Sequence, residues 1–253
     1  MKVQVVVAVL GGILAATMAS AAPPTKHSGK TLPKPPTKQA TQSAASRAPI
    51  QRDWTTTVST TPAGNVILGN PRARVKLVEY LSFTCSHCAA FANESKSVLK
   101  DQLIRSGSTS IEYRPIGRDL IDLGATILVR CAGGLGFATA AEELFARQSE
   151  WLPLGFGFME RDAKRFALDT PLEQIRAGTQ ASGLIDLMLA RGLPPARIDA
   201  CFADEKLLAS IVANGNAARK VIKGTPSIVI NGVKRDEFTW AAVEPLLRAQ
   251  GAR

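Results

Sequence analysis

The sequence predicts a mixed α/β domain that carries a block of helices in its middle, and three observations predict it. Strand-like apolar runs stand near the start of the stretch from Trp54 to Arg253, at Val66-Ile67-Leu68 and from Val75 to Phe83. Between about residues 118 and 222 the chain is rich in Ala, Leu and Arg, with Gly and Pro punctuation that suits several consecutive helices. After that block, Asn231-Gly232 lies between Ser227-Ile228-Val229-Ile230 and Val233, the pattern of a tight two-residue hairpin.

Taken in order, Val66-Ile67-Leu68 before Gly69-Asn70-Pro71 reads as a short edge strand and a turn. Val75 to Phe83 reads as a buried central strand. A helix is expected to begin just after it, to run through Phe91, Val98 and Leu99 toward Arg105, and to end at Gly107. Ser110 to Pro115 alternates as a second strand. Breaks within the helical block are expected at Gly133-Gly134, Pro153, Gly155, Gly157, Pro171, Gly178 and Pro194-Pro195. Ala241 to Ala249 closes the domain as a helix.

Cys85-Ser86-His87-Cys88 sits where the central strand hands over to the first helix. Cys-X-X-Cys places two sulfurs one helical turn apart, within bridging distance, with the first toward solvent and the second behind it. At a helix N-terminus the free N–H groups and the macrodipole favour negative charge, so Cys85 is the expected attacking thiolate and Cys88 the resolving thiol. An imidazole at His87 that donates to, or carries charge near, the Cys85 sulfur lowers its pKa further. Zinc would need two more ligands at recognisable spacing, whereas Cys131 and Cys201 stand apart and His27 lies in a Pro-rich stretch. A c-type haem site needs His after the second cysteine, where Ala89 stands. No metal or cofactor is therefore expected.

Lys2, the apolar stretch from Val3 to about Ala16 and the small-residue pattern Ala19-Ser20-Ala21 predict a secretory signal peptide over residues 1–22. Its apolar core is shorter than the ~20 residues that span a bilayer. Export to an oxidising compartment fits an even count of 4 cysteines. Residues 23–53 are Pro/Thr/Lys/Ala/Ser-rich, with six basic residues against Asp53 alone. They read as a disordered tail or linker, a solvated spacer that could also touch an anionic surface. Much of the chain's net charge of +10 lies there, and no interleaved aromatic and basic pattern suggests nucleic acid.

Val75–Phe91 together with the later Gly224-Thr225-Pro226-Ser227 resembles the DsbA-like thiol–disulfide oxidoreductases, a thioredoxin fold with an inserted α-helical domain. Gly224-Thr225-Pro226 alone would be an ordinary turn. The resemblance implies that Pro226 is a cis-proline beside the redox pair, with a nearby backbone edge for substrate, and that Thr225 tunes redox behaviour and substrate release. Ser86 and His87 likewise set redox poise. It implies a catalytic auxiliary in Glu79, six residues before Cys85, as a buried acid able to accept and return the Cys88 proton. Solvent exposure or pairing with Lys76 is the other reading of Glu79. Phe83 and Phe91 are core residues or part of an apolar rim. Cys131 and Cys201 are a structural disulfide, as in some relatives, or two buried thiols.

The function so implied is a periplasmic or otherwise exported thiol oxidase, expected to be a monomer with one domain over residues 54–253. It would form transient mixed disulfides at Cys85 with reduced or unfolded exported proteins and be reoxidised by a quinone-linked membrane partner. The rivals are an isomerase or reductase held reduced, and a client-binding chaperone-like module.

Overall fold

The computed structural model describes residues 52–166 and 170–253. The signal-peptide and nearly all of the tail reading, residues 1–51, lie outside the described residues. Among the described residues no helix is long and apolar enough to cross a membrane.

Among the described residues a mixed sheet of six strands organises the domain: β1 (Val58–Thr60), β2 (Val66–Gly69), β3 (Val75–Leu81), β4 (Thr109–Pro115), β5 (Ser227–Ile230) and β6 (Val233–Lys234), in the order β1-β2-β4-β3-β5-β6. Only β3 and β4 run parallel, and the chain between them is the helix α1 (Ser86–Ser95) with a π-helical continuation over Lys96–Ile104. The remaining pairs are antiparallel. β2 is an inner strand, paired on both sides, which corrects the edge-strand expectation: the short β1 covers it. The β5–β6 hairpin turns at Asn231 (φ 50°) and Gly232 (φ 82°), the left-handed pair that a two-residue turn demands.

Between β4 and β5 lie α2 (Leu120–Ala132), α3 (Gly134–Ala146), α4 (Gln148–Phe166), α5 (Pro171–Ala181), α6 (Leu184–Ala190), α7 (Pro195–Phe202) and α8 (Glu205–Arg219). The helix α9 (Trp240–Ala249) follows the hairpin. Gly133, Pro171 and Pro195 do punctuate helices, but Pro153, Gly155 and Gly157 lie inside α4 and Gly178 inside α5. The two glycines at positions 155 and 178 serve packing instead. A Cβ at either would approach Ile121 of α2, at 3.2 Å and 2.9 Å. The missing Cβ leaves room for the Ile121 side chain, at a helix-propensity cost of about 1 kcal/mol each.

β3 ends at Leu81 rather than Phe83, and its alternation buries Val75, Leu77, Glu79 and Leu81 on one face. Phe91 of α1, Leu99 and Leu103 of the continuation and Val243 and Leu247 of α9 pack with this face in a core of fully or nearly fully buried side chains. A second core joins Leu81 and Phe83 to the helical block, through Ile121, Ile127, Leu144 and Trp151. The four residues from Ser82 to Cys85 cross from β3 to α1 along this second core.

Candidate active site

Cys85 is the N-cap of α1, with extended backbone (φ −95°, ψ 120°), so its sulfur faces the open N-terminal turn. Ser86 and His87 are exposed, and Cys88 is fully buried one turn along. Cys85 itself is 6% exposed, less open to solvent than the spacing suggests. Both are free thiols. As a thiol, Cys85 Sγ donates to the carbonyl oxygen of Thr225 at 3.1 Å. As a thiolate it accepts from the Cys88 thiol, from the Thr225 side chain and from the backbone N–H groups of Cys88 and His87. These hold its pKa at about 4 against the opposing cost of burial. Cys88 is driven the other way, far above an ordinary thiol, by burial first, then by its bond to Cys85 and the charges of Glu79 and Cys85.

The imidazole of His87 packs edge-on against Phe238 at 5.7 Å, and the His87 backbone N–H is what serves the sulfur. Pro226 is buried and joined to Thr225 by a cis peptide bond at the mouth of β5. His87, Thr225, Pro226, Lys234, Arg235 and Phe238 line an open groove of about 300 Å³ beside the redox pair. Phe238, which follows the hairpin and is 45% exposed, went unnoticed in the sequence; an apolar residue after Asp236-Glu237, just before the final helix, was the available signal.

Glu79 is 2% exposed, opposite Tyr113 on β4 and Ile228 on β5. Burial, and then the Cys85 charge, push its carboxyl up to about 8, so it holds a proton at neutral pH. Its Oε1 has no hydrogen-bond partner among the described residues. Glu79 also lines a cavity of about 40 Å³ between the sheet, α1 and α3, bounded by Tyr113, Lys100 and Glu142. Pairing with Lys76 is ruled out, since Lys76 lies exposed on the opposite face of β3. Phe83 and Phe91, at 0% and 1% exposure, are core and form no rim.

The crossing Ser82–Cys85 belongs to neither sheet nor helix, so its backbone groups need other partners. The Phe83 N–H donates to Asp122 Oδ1 at 2.7 Å, and Arg118 Nη2 donates to the Thr84 carbonyl at 2.8 Å. Thr84 Oγ1 donates to Asp119 Oδ2 at 2.6 Å. Asp122 is fully buried and raised to about 6 by desolvation, against bonds from Arg118 and Phe83 N–H and from Ser82. These residues escaped the sequence reading: Asp119 and Asp122 look like a helix cap, and only the fold turns Asp122 toward Phe83.

Cys131 of α2 and Cys201 of α7 form a disulfide, with Cα atoms 6.1 Å apart across 70 residues of sequence.

Residues 61–249 match the family model described as thioredoxin. Two proteins named protein-disulfide oxidoreductase, from Rickettsia prowazekii (strain Madrid E) and Rickettsia bellii (strain RML369-C), are 27% and 25% identical over 177 residues, 69% of this chain. The chain spans 57% and 60% of the length of these curated relatives. Among solved structures, a protein-disulfide isomerase from Novosphingobium aromaticivorans superimposes with a TM-score of 0.68 at 30% identity, over 73% of this chain and 95% of that one. The alpha-DsbA1 of Wolbachia pipientis superimposes with a TM-score of 0.60 over 76% and 92%, and at 18% identity that likeness is one of fold.

Proposed function

The chain belongs to the thioredoxin family, with the helical insertion of its DsbA-like members, and from that premise we propose that it is an exported protein disulfide oxidoreductase working as a thiol oxidase. One observation carries the direction: the Cys85 sulfur gathers three kinds of donor at a helix N-terminus and is held near pKa 4. A stabilised thiolate is a stabilised reduced form, and it makes the oxidised pair a strong electron acceptor.

In the oxidised protein a substrate thiolate attacks Cys85 Sγ. The Cys85–Cys88 bond breaks, and Cys88 leaves with the electron pair. Because Cys88 is a poor thiolate, it takes up a proton, and protonated Glu79 is the nearby acid to supply it, directly or through a water molecule. The substrate's second thiolate then attacks the substrate sulfur of the mixed disulfide, and Cys85 departs as its stabilised thiolate. Two electrons have moved from substrate to protein, leaving a substrate disulfide and a Cys85/Cys88 dithiol. A quinone-linked membrane partner would reoxidise that dithiol.

The groove beside Thr225 and Pro226 offers backbone and the Phe238 face to an extended client segment. Reduced proteins in the oxidising compartment, where the leader at residues 1–22 would deliver this chain, are the substrate class. Equilibration with glutathione tests the direction: a potential well above thioredoxin's ~−270 mV supports the oxidase, and one as low as thioredoxin's overturns it. The name of the Novosphingobium structure favours a second reading, isomerisation. Activity on scrambled ribonuclease together with a stable dimer or trimer in sedimentation would establish that reading in place of oxidation.

A further inference from the structure

Gln148, the first residue of α4, is 7% exposed, and its Nε2 donates to the Phe83 carbonyl at 2.7 Å and to the Cys85 carbonyl at 3.0 Å. An amide oxygen in that place would face two carbonyl oxygens, so the donor is fixed by its partners. The Cys85 carbonyl also takes the first helical bond of α1, from the Ala89 N–H at 3.1 Å. Gln148 therefore grips the peptide that joins the non-helical cap residue to the helix. The orientation of that peptide decides where the next N–H groups, of His87 and Cys88, point.

We propose that Gln148 is a positioning residue for the redox centre: through the Cys85 and Phe83 carbonyls it holds the first turn of α1 so that its amides converge on the Cys85 sulfur. The other end of Phe83 is held as well, since its N–H is bound by Asp122 of α2. Phe83 is thus clamped at both ends by side chains of the helical insertion, and the insertion is part of the redox centre rather than a cover for it. The inference rests on the reading of Cys85 as the stabilised thiolate.

Its loss exposes the mechanism. Gln148→Met keeps the length of the side chain and removes the donor, and Gln148→Ala removes both. In the full chain, the 240 nm thiolate absorbance of Cys85 should appear at a midpoint about half to one pH unit higher in each. The glutathione equilibrium should move roughly threefold to tenfold toward the disulfide, a fall of ~15–30 mV. Gln148→Glu, which adds negative charge beside the carbonyls, should raise the midpoint further. A folded Gln148→Met protein with the wild-type midpoint and potential, whatever its melting temperature, overturns the proposal and leaves Gln148 a purely structural residue. Should the variants fail to fold, the Gln148 side-chain amide resonance of the wild type decides: it should shift on oxidation of Cys85/Cys88 and titrate with Cys85, and indifference to both overturns the proposal. A wild-type midpoint in the ordinary thiol range would overturn the thiolate reading itself, an outcome distinct from a low wild-type midpoint left unmoved in Gln148→Met.

Discussion

The molecule holds two cysteine pairs built from the same atoms and put to opposite uses. Cys85 and Cys88 lie three residues apart at a helix start, as free thiols with Glu79 beneath them and the hydroxyl of Thr225 above. Cys131 and Cys201 lie 70 residues apart, are joined, and tie α2 to α7. The first pair is surrounded by groups that stabilise one sulfur as an anion and suppress the other. The second is packed among the apolar side chains of the helical block, with the Arg197 carbonyl 3.3 Å from Cys131 Sγ. Reactivity is a property of the sulfur's surroundings: donors and a helix terminus make an exchange centre, and packing between helices makes a staple.

The sharpest way to break this contrast is to disable each pair in turn. Cys85→Ala should abolish oxidase turnover, by roughly a thousandfold or more, in a protein that still folds. Cys131→Ala with Cys201→Ala should leave the glutathione potential unchanged while urea unfolding loses about 4.4 kcal/mol, the chain-entropy expectation for a 70-residue separation. A changed potential in that double variant would erase the division between the pairs.

Glu79→Gln comes next. Mixed-disulfide formation should slow about tenfold to a hundredfold at neutral pH, in stopped-flow traces with a model dithiol peptide. The wild-type rate should lose its proton donor as pH rises past about 8, and the variant should lack that limb. Glu79 also bears on stability. Its folded pKa of about 8 lies above the ordinary 4.5, so its contribution is full below pH 4.5 and is lost as pH climbs to 8. Urea midpoints of Glu79→Gln should show a flatter slope across that window. The smallest effect belongs to Thr225→Val, which removes one donor from the Cys85 thiolate. Its midpoint, read at 240 nm, should rise by about half a pH unit and the potential fall by ~15 mV.

Much of this site was legible before any fold was known. Cys85, Cys88 and the helix start are local, and Thr225-Pro226 opening a strand is a short motif, so spacing and resemblance sufficed to collect them. Glu79 was legible as a buried acid because the strand's alternation places it with Leu77 and Leu81. Asp122, Arg118 and Gln148 were not. Each is remote in sequence from the residues it serves, and nothing in an Asp at the start of α2 or a Gln at the start of α4 announces a backbone carbonyl or N–H across the domain. The sequence points the imidazole of His87 at the sulfur, whereas the helix geometry gives the sulfur its backbone N–H and turns the ring to Phe238. Gly155 and Gly178 look like breaks in the sequence because it shows a missing Cβ without showing the Ile121 methyl that needs the space.

By itself the sequence determined the α/β class with its helical insertion, the strand-to-helix junction and the chemistry available there, because periodicity, turn residues and Cys-X-X-Cys spacing act over a few residues. Tertiary structure alone decided which sulfurs pair, that β2 is an inner strand, and how the Ser82–Cys85 crossing is held. Those are matters of hydrogen bonds and packing between distant segments, which have no geometry until the chain has folded.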